Sequence, residues 1–129
     1  MCIGNIYKIP MNKEDGITVK GDYEFRNKYI IVLGVDDKNN FLGAVVVNSE
    51  INLLWCDFDY QYEIKCEKYE KIFEKNSYVD CTMVYSINQD RIQDKELGKI
   101  DIDDYETIVN KIRKHPDITK RTLKKFKLL

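Results

Sequence analysis

The sequence predicts a mainly β domain of the α+β class: a small, strongly curved antiparallel sheet or partly open barrel with one or two C-terminal helices. Two observations lead to this prediction. Short apolar runs separated by polar turn residues recur through the first 100 residues of the 129-residue chain, and the clearest helical periodicity begins only after them. A chain of this length is expected to fold as one unit, so residues 1–129 are interpreted as a single domain.

The first strand is predicted near the N-terminus, in IGNIYKI (3–9), where isoleucines recur around Gly4. We expect it to end at Pro10, which cannot donate a hydrogen bond to a neighbouring strand. Residues 11–24 are polar and contain two glycines, a composition typical of a loop or of a loop with a weak hairpin.

Two apolar runs follow, YIIVLGV (29–35) and FLGAVVVNS (41–49), with the turn residues DDKNN between them. This pattern predicts an antiparallel hairpin. Because residues of both parities are apolar in both runs, at 30–33 and at 44–47, both strands should be covered on both faces. We therefore expect the hairpin to form the centre of the sheet.

Two later segments have strand character. In DFDYQYEIKC (57–66) aromatic or aliphatic residues alternate with polar ones, so Phe58, Tyr60, Tyr62 and Ile64 would share one face of an edge strand. The segment SYVDCTMVYSI (77–87) predicts a further core strand. Its residues on one side would be Val79, Cys81, Met83, Tyr85 and Ile87.

Two helices are predicted at the end of the chain. The apolar residues of DDYETIVNKIRKH (103–115) follow the spacing of one helical stripe, with acidic residues near its start and basic residues near its end, as the helix dipole favours. Pro116 should stop this helix. Thr119 is a candidate cap for a short second helix with Leu123 and Phe126 facing inward.

The C-terminal end is strongly basic. From residue 111 onward there are eight Lys or Arg residues and one acidic residue, Asp117, so this end carries a charge of about +7 and the remainder about −8. Such a charge attracts phosphates or an acidic partner at long range. Alternatively, these side chains only solvate the outer faces of terminal helices. We describe residues 115–129 as a basic helical extension.

Several classes of function are disfavoured by the sequence. No apolar run approaches the roughly 20 residues that span a bilayer, and the N-terminus does not resemble a secretory signal, so we expect a cytoplasmic protein without a membrane partner. The four cysteines are scattered and His115 is the only histidine, which is not a zinc-binding pattern. With no glycine-rich phosphate loop either, we expect no cofactor and no metal site.

Polar residues at the ends of the predicted hairpin are the best candidates for chemistry. In an antiparallel pair the start of the first strand lies beside the end of the second, so Arg26 and Lys28 should lie next to Asn48 and Ser49. A cation beside a hydroxyl is suited to RNA cleavage without metal, because the ribose 2′-hydroxyl can itself attack the neighbouring phosphate. The protein then stabilises charge on the phosphoryl oxygens and moves protons. Such residues also occur commonly at strand ends with only structural roles.

The order of these segments resembles the MazF/PemK family of toxin endoribonucleases. The pieces that correspond to the first part of the family pattern are IGNIYKI (3–9), the loop 10–24, RNKYIIVL (26–33) and AVVVNS (44–49). Those similar to its later part are NSYVDCTMVYSINQDRI (76–92) and KELGKIDIDDYETIVNKI (95–112). The resemblance covers residues 3–114 in order.

This resemblance implies an SH3-like, partly open barrel, usually dimeric, that cleaves single-stranded RNA without a metal ion, leaves a cyclic phosphate and is controlled by a cognate antitoxin. By position, the catalytic arginine of the family corresponds to Lys28, with Arg26 two residues away as the rival. The catalytic threonine or serine corresponds to Ser49. The Arg-Pro pair of the family is absent here, with Lys28 and Tyr29 in its place, and lysine lacks the bidentate fork of arginine.

Four residues are candidates for RNA binding: Asn48, Trp55, Tyr60 and Tyr62. The three aromatic residues closely follow the predicted catalytic strand and could stack on unpaired bases. Packing in the core or in a dimer interface is the alternative interpretation.

The expected partners are therefore single-stranded RNA, an acidic antitoxin protein and a second copy of the chain. One alternative hypothesis is a non-catalytic module on the same barrel that holds RNA or a protein. Another is a toxin or phage-defence component of a related barrel class whose inhibitor is itself an RNA.

Overall fold

The computed structural model describes residues 3–17, 19, 21–50 and 58–129. Within these ranges, seven strands form one antiparallel sheet curled into a half-barrel, and two helices follow it, which confirms the predicted fold class. The strands are β1 (Asn5–Met11), β2 (Arg26–Val35), β3 (Phe41–Asn48), β4 (Gln61–Ile64), β5 (Ser77–Asp80), β6 (Tyr85–Asn88) and β7 (Gly98–Lys99). The helices are α1 (Ile102–Lys114) and α2 (Lys120–Lys125).

The hairpin of β2 and β3 lies at the centre of the sheet, as predicted. The strand order is β4-β5-β3-β2-β1-β7, and β6 also pairs with β3. β2 and β3 are antiparallel from Tyr29 opposite Val47 to Val35 opposite Leu42. On its other edge β3 pairs with β6 near its start and with β5 near its end. Both central strands therefore have neighbours on both edges and apolar contacts on both faces.

The sheet buries apolar side chains on each of its two faces. The face that we call the helix face contains Ile31, Leu33, Val45 and Val47 of the hairpin, with Ile108, Ile112 and Phe126 from the C-terminal segment. The opposite face, here the loop face, contains Ile30, Val32, Ala44 and Val46, with Ile9, Tyr85 and Ile87. Ile17 from the loop between β1 and β2 packs against the loop face.

The first strand is longer than predicted, because β1 continues through Pro10 to Met11. The carbonyl oxygen of Pro10 accepts a hydrogen bond of 2.9 Å from the Arg91 guanidinium, so this backbone edge of Pro10 points away from β2. β7 pairs only with Asn5 and Ile6 and does not extend to this position. Proline is tolerated here because its missing N–H lies on an edge without a strand partner.

The prediction of a single strand over residues 77–87 is wrong. The segment forms two short strands, β5 and β6, with a break between them at residues 81–84. At the break, the Asp80 carboxylate accepts hydrogen bonds from the backbone N–H of Thr82 at 2.9 Å and from its hydroxyl at 2.5 Å. Val79 packs on the helix face whereas Tyr85 packs on the loop face, so the chain changes face as it follows the curl of the sheet.

The edge strand predicted at 57–66 is present over a shorter range. A short 3₁₀ helix at Phe58–Tyr60 precedes β4. β4 pairs with β5 alone and so lies at the edge of the sheet. Tyr62 and Ile64 both pack on the helix face, which agrees with their predicted alternation.

Both predicted C-terminal helices are present. The Asp101 side chain caps α1 by accepting a hydrogen bond from the N–H of Asp104 at 2.9 Å. Thr119 caps α2 by accepting a hydrogen bond from the N–H of Thr122 at 3.2 Å. The basic extension also completes the helix face, where Phe126 and Leu128 are buried. Its apolar residues thus hold its basic residues close to the sheet.

Gly34 in β2 allows the C-terminal segment to approach the sheet closely. A methyl group at this position would lie 2.0 Å from the backbone carbonyl oxygen of Phe126. We expect Gly34→Ala to lower the free energy of unfolding by about 1–3 kcal/mol, because a packed backbone cannot move aside as a side-chain end can. Urea denaturation followed by circular dichroism measures this loss.

Gly98→Ala is the matched control for this prediction. Its methyl group would come within 2.6 Å of the Ile72 side-chain tip, which can rotate away. It should therefore cost less than Gly34→Ala. Equal losses in the two variants would contradict the inferred constraint at Phe126.

Candidate functional site

The structure brings Lys28 and Asn48 together at the polar end of the central hairpin. Tyr29 of β2 lies opposite Val47 of β3, so the next residues outward, Lys28 and Asn48, are neighbours across the hairpin. The Lys28 ammonium donates a hydrogen bond of 2.6 Å to the side-chain oxygen of Asn48. Topology alone predicted this adjacency, and the antiparallel register produces it.

Lys28 is unusual because its charged group is largely removed from water. The residue is only 6% exposed. Burial disfavours the ammonium form and lowers the pKa of Lys28; the positive charge of Arg26 lowers it further, and the negative charge of Asp80 partly opposes both, leaving the pKa at about 8. Lys28 can therefore exchange a proton near neutral pH, which an ordinary surface lysine does not do.

Arg26, Lys28, Asn48 and Asp80 form what we call the hairpin-end site. Arg26 is exposed and projects to the same side of β2 as Lys28, since side chains two positions apart in a strand share a face. Asp80 ends β5, which pairs with the end of β3 through Asn48 and Tyr78. The site thus combines two cations, an amide and a carboxylate at the rim of the loop face.

Ser49 does not join this site. It lies one residue beyond β3 and is exposed. No hydrogen bond between described residues connects it to Lys28 or Arg26. Strand alternation explains the difference, because successive side chains point to opposite faces and Asn48 takes the position beside Lys28. The hydrogen bond of Lys28 thus goes to Asn48, and the catalytic role of Ser49 stays a prediction.

Tyr60 and Tyr62 lie on the helix face, on the opposite side of the sheet from Lys28. The Tyr62 hydroxyl donates a hydrogen bond of 2.6 Å to Asp104 in α1. The Tyr60 hydroxyl donates to the backbone oxygen of Lys114 at 3.4 Å, and its ring packs edge-on against His115. Both side chains therefore contact α1 or its C-terminal cap, as the alternative interpretation of core packing expects, and their role in RNA binding stays a prediction. Trp55, the third aromatic candidate, lies outside the described residues.

The sequence did not point to two other features of this region. The role of Asp80 was missed because the sequence predicted one continuous strand through this residue. Tyr23 and Phe25 stand just before β2 and are 76% and 54% exposed. Together with Val19 and Arg26 they line a cavity of about 260 Å³. Their signal in the sequence is the presence of two aromatic residues in a largely polar segment just before β2.

Arg91 holds the start of the loop between β1 and β2. Its guanidinium donates two hydrogen bonds to Asp15, of 2.6 and 2.9 Å, besides the one to Pro10. The hydrogen bond from Arg91 lowers the pKa of Asp15 below its ordinary value, against the effect of burial. This contact fixes the loop at the edge of the loop face.

The described ranges contain neither a metal-binding cluster nor a helix that could span a membrane. There, no group of three or more His, Cys, Asp or Glu side chains is arranged to hold a metal ion. Neither α1 nor α2 is long and apolar enough to cross a membrane. Cys66 and Cys81 are not in disulfides, and burial raises the pKa of the Cys81 thiol to about 12.

No protein-family model matches this chain, and no curated protein matches it. A function must therefore be inferred from the hairpin-end site and from the ordered resemblance of the sequence segments.

Proposed function

We propose that the chain is a MazF/PemK-like toxin that cleaves single-stranded RNA at the hairpin-end site without a metal ion. The observation that supports this most is the state of Lys28. Its ammonium lies 2.6 Å from the Asn48 oxygen, within the influence of Arg26 and Asp80, and its pKa is about 8. A group that gives and takes protons near neutral pH is what phosphodiester cleavage requires.

In the proposed reaction the ribose 2′-oxygen attacks the adjacent phosphorus, and the bond from phosphorus to the 5′-oxygen breaks. Asp80 accepts the proton of the 2′-hydroxyl, and the Lys28 ammonium gives a proton to the departing 5′-oxygen. Arg26 donates hydrogen bonds to the non-bridging oxygens, where charge accumulates. Asn48 holds the ammonium in position. The products are a 2′,3′-cyclic phosphate and a 5′-hydroxyl, and solvent restores both protonation states.

The toxin proposal includes two protein partners and a compartment. An acidic antitoxin would be attracted to the basic extension, which exposes Lys120, Arg121 and Lys124. A second copy of the chain would form the dimer that the resemblance implies. An enzyme with cellular RNA as its substrate would act in the cytoplasm.

A second candidate function is binding of RNA or of a protein without cleavage. The burial of Lys28 and the position of Ser49 outside the site favour it, because a binding module needs neither an accessible proton donor nor a hydroxyl. This function predicts binding that weakens with added salt as phosphate contacts are screened.

Incubation of the purified protein with a mixed-sequence RNA in EDTA tests the proposal. We expect discrete fragments with 2′,3′-cyclic phosphate ends, identified by mass spectrometry. Substitution of 2′-deoxyribose at a cleaved position should leave that bond intact. If the RNA is bound in a salt-sensitive manner but never cut, the nuclease proposal is wrong and the binding module is favoured.

A further inference from the structure

Two large aromatic side chains beside Arg26 are exposed. Tyr23 is 76% exposed and Phe25 is 54% exposed. Across the part of the chain that the structure describes, neither ring stacks on another ring and the Tyr23 hydroxyl makes no hydrogen bond. Adjacent exposed rings of this size are typical of a contact surface for a ligand.

The two rings belong to one cavity, which we call the Tyr23–Phe25 pocket. Its other described lining residues are Val19, which is 7% exposed, and Arg26. The volume of about 260 Å³ lies below the roughly 300–1,000 Å³ of pockets for drug-sized ligands. A cavity of this size with two aromatic walls suits one flat ring.

The charge beside the pocket specifies what that ring should carry. Within the described ranges, the Arg26 guanidinium has no hydrogen-bond or ion-pair partner, so its donors are free. The positive charge of Arg26 also lowers the pKa of Lys28, as repulsion between two neighbouring cations does. An anion at Arg26 would relieve this repulsion. The chemistry therefore fits a flat ring with an attached anionic group, as in one nucleotide of a single strand.

We propose that the Tyr23–Phe25 pocket binds an unpaired nucleobase of single-stranded RNA whose phosphate lies at Arg26. This inference rests on the proposed RNA substrate and deepens it by naming where the base next to the bound phosphate is held. Stacking uses the face of a base and so tolerates all four bases. The pocket would hold the strand and leave sequence selection to other contacts.

The experiment uses the full chain and two fluorescent oligomers of equal length. One is an RNA heptamer with 2′-fluoro ribose throughout, which lacks the attacking hydroxyl; the other carries the same phosphates on abasic sugars. Fluorescence anisotropy gives the Kd of each. We expect Tyr23→Ala and Phe25→Ala each to weaken binding of the base-containing oligomer about tenfold and to leave the abasic oligomer unchanged. Arg26→Gln should weaken both.

Conservative and distant variants serve as controls. Tyr23→Phe and Phe25→Tyr keep the rings and should bind normally. Leu97→Ala removes another exposed apolar side chain, 47% exposed, and should also bind normally. If the alanine variants weakened binding of both oligomers equally, or weakened neither, the proposed role of the pocket would be overturned. The pocket proposal would also be overturned if the protein bound an acidic peptide through the two rings but bound neither oligomer.

The pocket and the nuclease can fail separately. If the wild type cleaves RNA but the alanine variants bind the oligomers normally, the pocket proposal is wrong and the nuclease proposal stands. If binding depends on the bases and on both rings but natural RNA is not cleaved, the pocket proposal stands and the nuclease proposal is wrong.

Discussion

Replacing Lys28 by methionine is expected to lower the rate of RNA cleavage by about 100-fold or more, the usual contribution of one proton-transferring side chain. Methionine keeps a long unbranched chain but cannot carry the proton. The buried position of Lys28 makes this replacement compatible with packing. Single-turnover cleavage of a labelled RNA measures the rate, and thermal unfolding of the variant confirms that its fold is retained.

The pH dependence separates a proton donor from a residue that only packs. With a pKa of about 8, Lys28 is mainly charged below that pH, so the cleavage rate should fall as the pH rises through 8. Arg26→Gln removes a positive neighbour and should raise the pKa of Lys28, which moves this fall to higher pH. Asp80→Asn removes a negative neighbour and should lower the pKa of Lys28. NMR titration of the Lys28 side chain measures both shifts. A rate that continues to rise above pH 9 would contradict proton donation by Lys28.

Three further variants test which neighbours matter. Lys8→Met removes an exposed lysine that lies over the Tyr29 ring on the other face of the sheet, and it should leave the rate unchanged. Asn48→Ala should lower the rate because it frees the ammonium of Lys28. Ser49→Ala should have little effect, since the hydrogen bond of Lys28 within the described residues goes to Asn48 and not to Ser49. A large loss in Ser49→Ala with a normal Asn48→Ala would reverse these two assignments.

The fold could be predicted because its strongest signals are local. Apolar residues at successive positions of 29–35 and 44–47 indicate strands covered on both faces, and the helical stripe after residue 103 has a period that no strand shares. The break between β5 and β6 could not be predicted in this way. It depends on a side-chain turn at Asp80, which leaves the alternation of apolar residues nearly intact.

The site could be predicted only in part, because side-chain direction depends on single-residue register. Topology placed the end of β3 beside Lys28, but a shift of one residue decides whether Asn48 or Ser49 faces it. The alternation around Tyr60 and Tyr62 showed that they share a face. It could not show that this face is the one covered by α1, which is a property of the long-range packing.

Like Lys28, Asp104 at the start of α1 is a buried charged residue of the described structure. Three side chains contact its carboxylate. It is 6% exposed, and its two carboxylate oxygens accept hydrogen bonds of 2.6 Å from the hydroxyls of Tyr62 and Tyr69. The Lys68 ammonium lies 3.0 Å from it. Burial alone would raise the pKa of Asp104, but the hydrogen bonds from these three residues outweigh burial and lower it. Asp104 thus joins α1 to β4 and to the segment around residue 69.

Asp104→Ala is therefore expected to lower the free energy of unfolding by about 2–5 kcal/mol, since each tyrosine hydroxyl left without an acceptor costs about 1–3 kcal/mol. Asp103→Ala removes a carboxylate from the same turn, but Asp103 is exposed and the variant should unfold nearly as the wild type does. Urea denaturation at pH 7 compares the two variants.

Acidification gives an independent measurement of the same carboxylate. The pKa of Asp104 is lower in the folded than in the unfolded protein, so its stabilisation is complete above the unfolded value of about 3.9 and is lost as the pH falls through the folded value. The wild type should therefore lose more stability between pH 5 and pH 2 than Asp104→Asn does. If both proteins lose the same amount, other carboxylates cause the acid sensitivity, and the tyrosine hydrogen bonds do not favour the ionised form of Asp104.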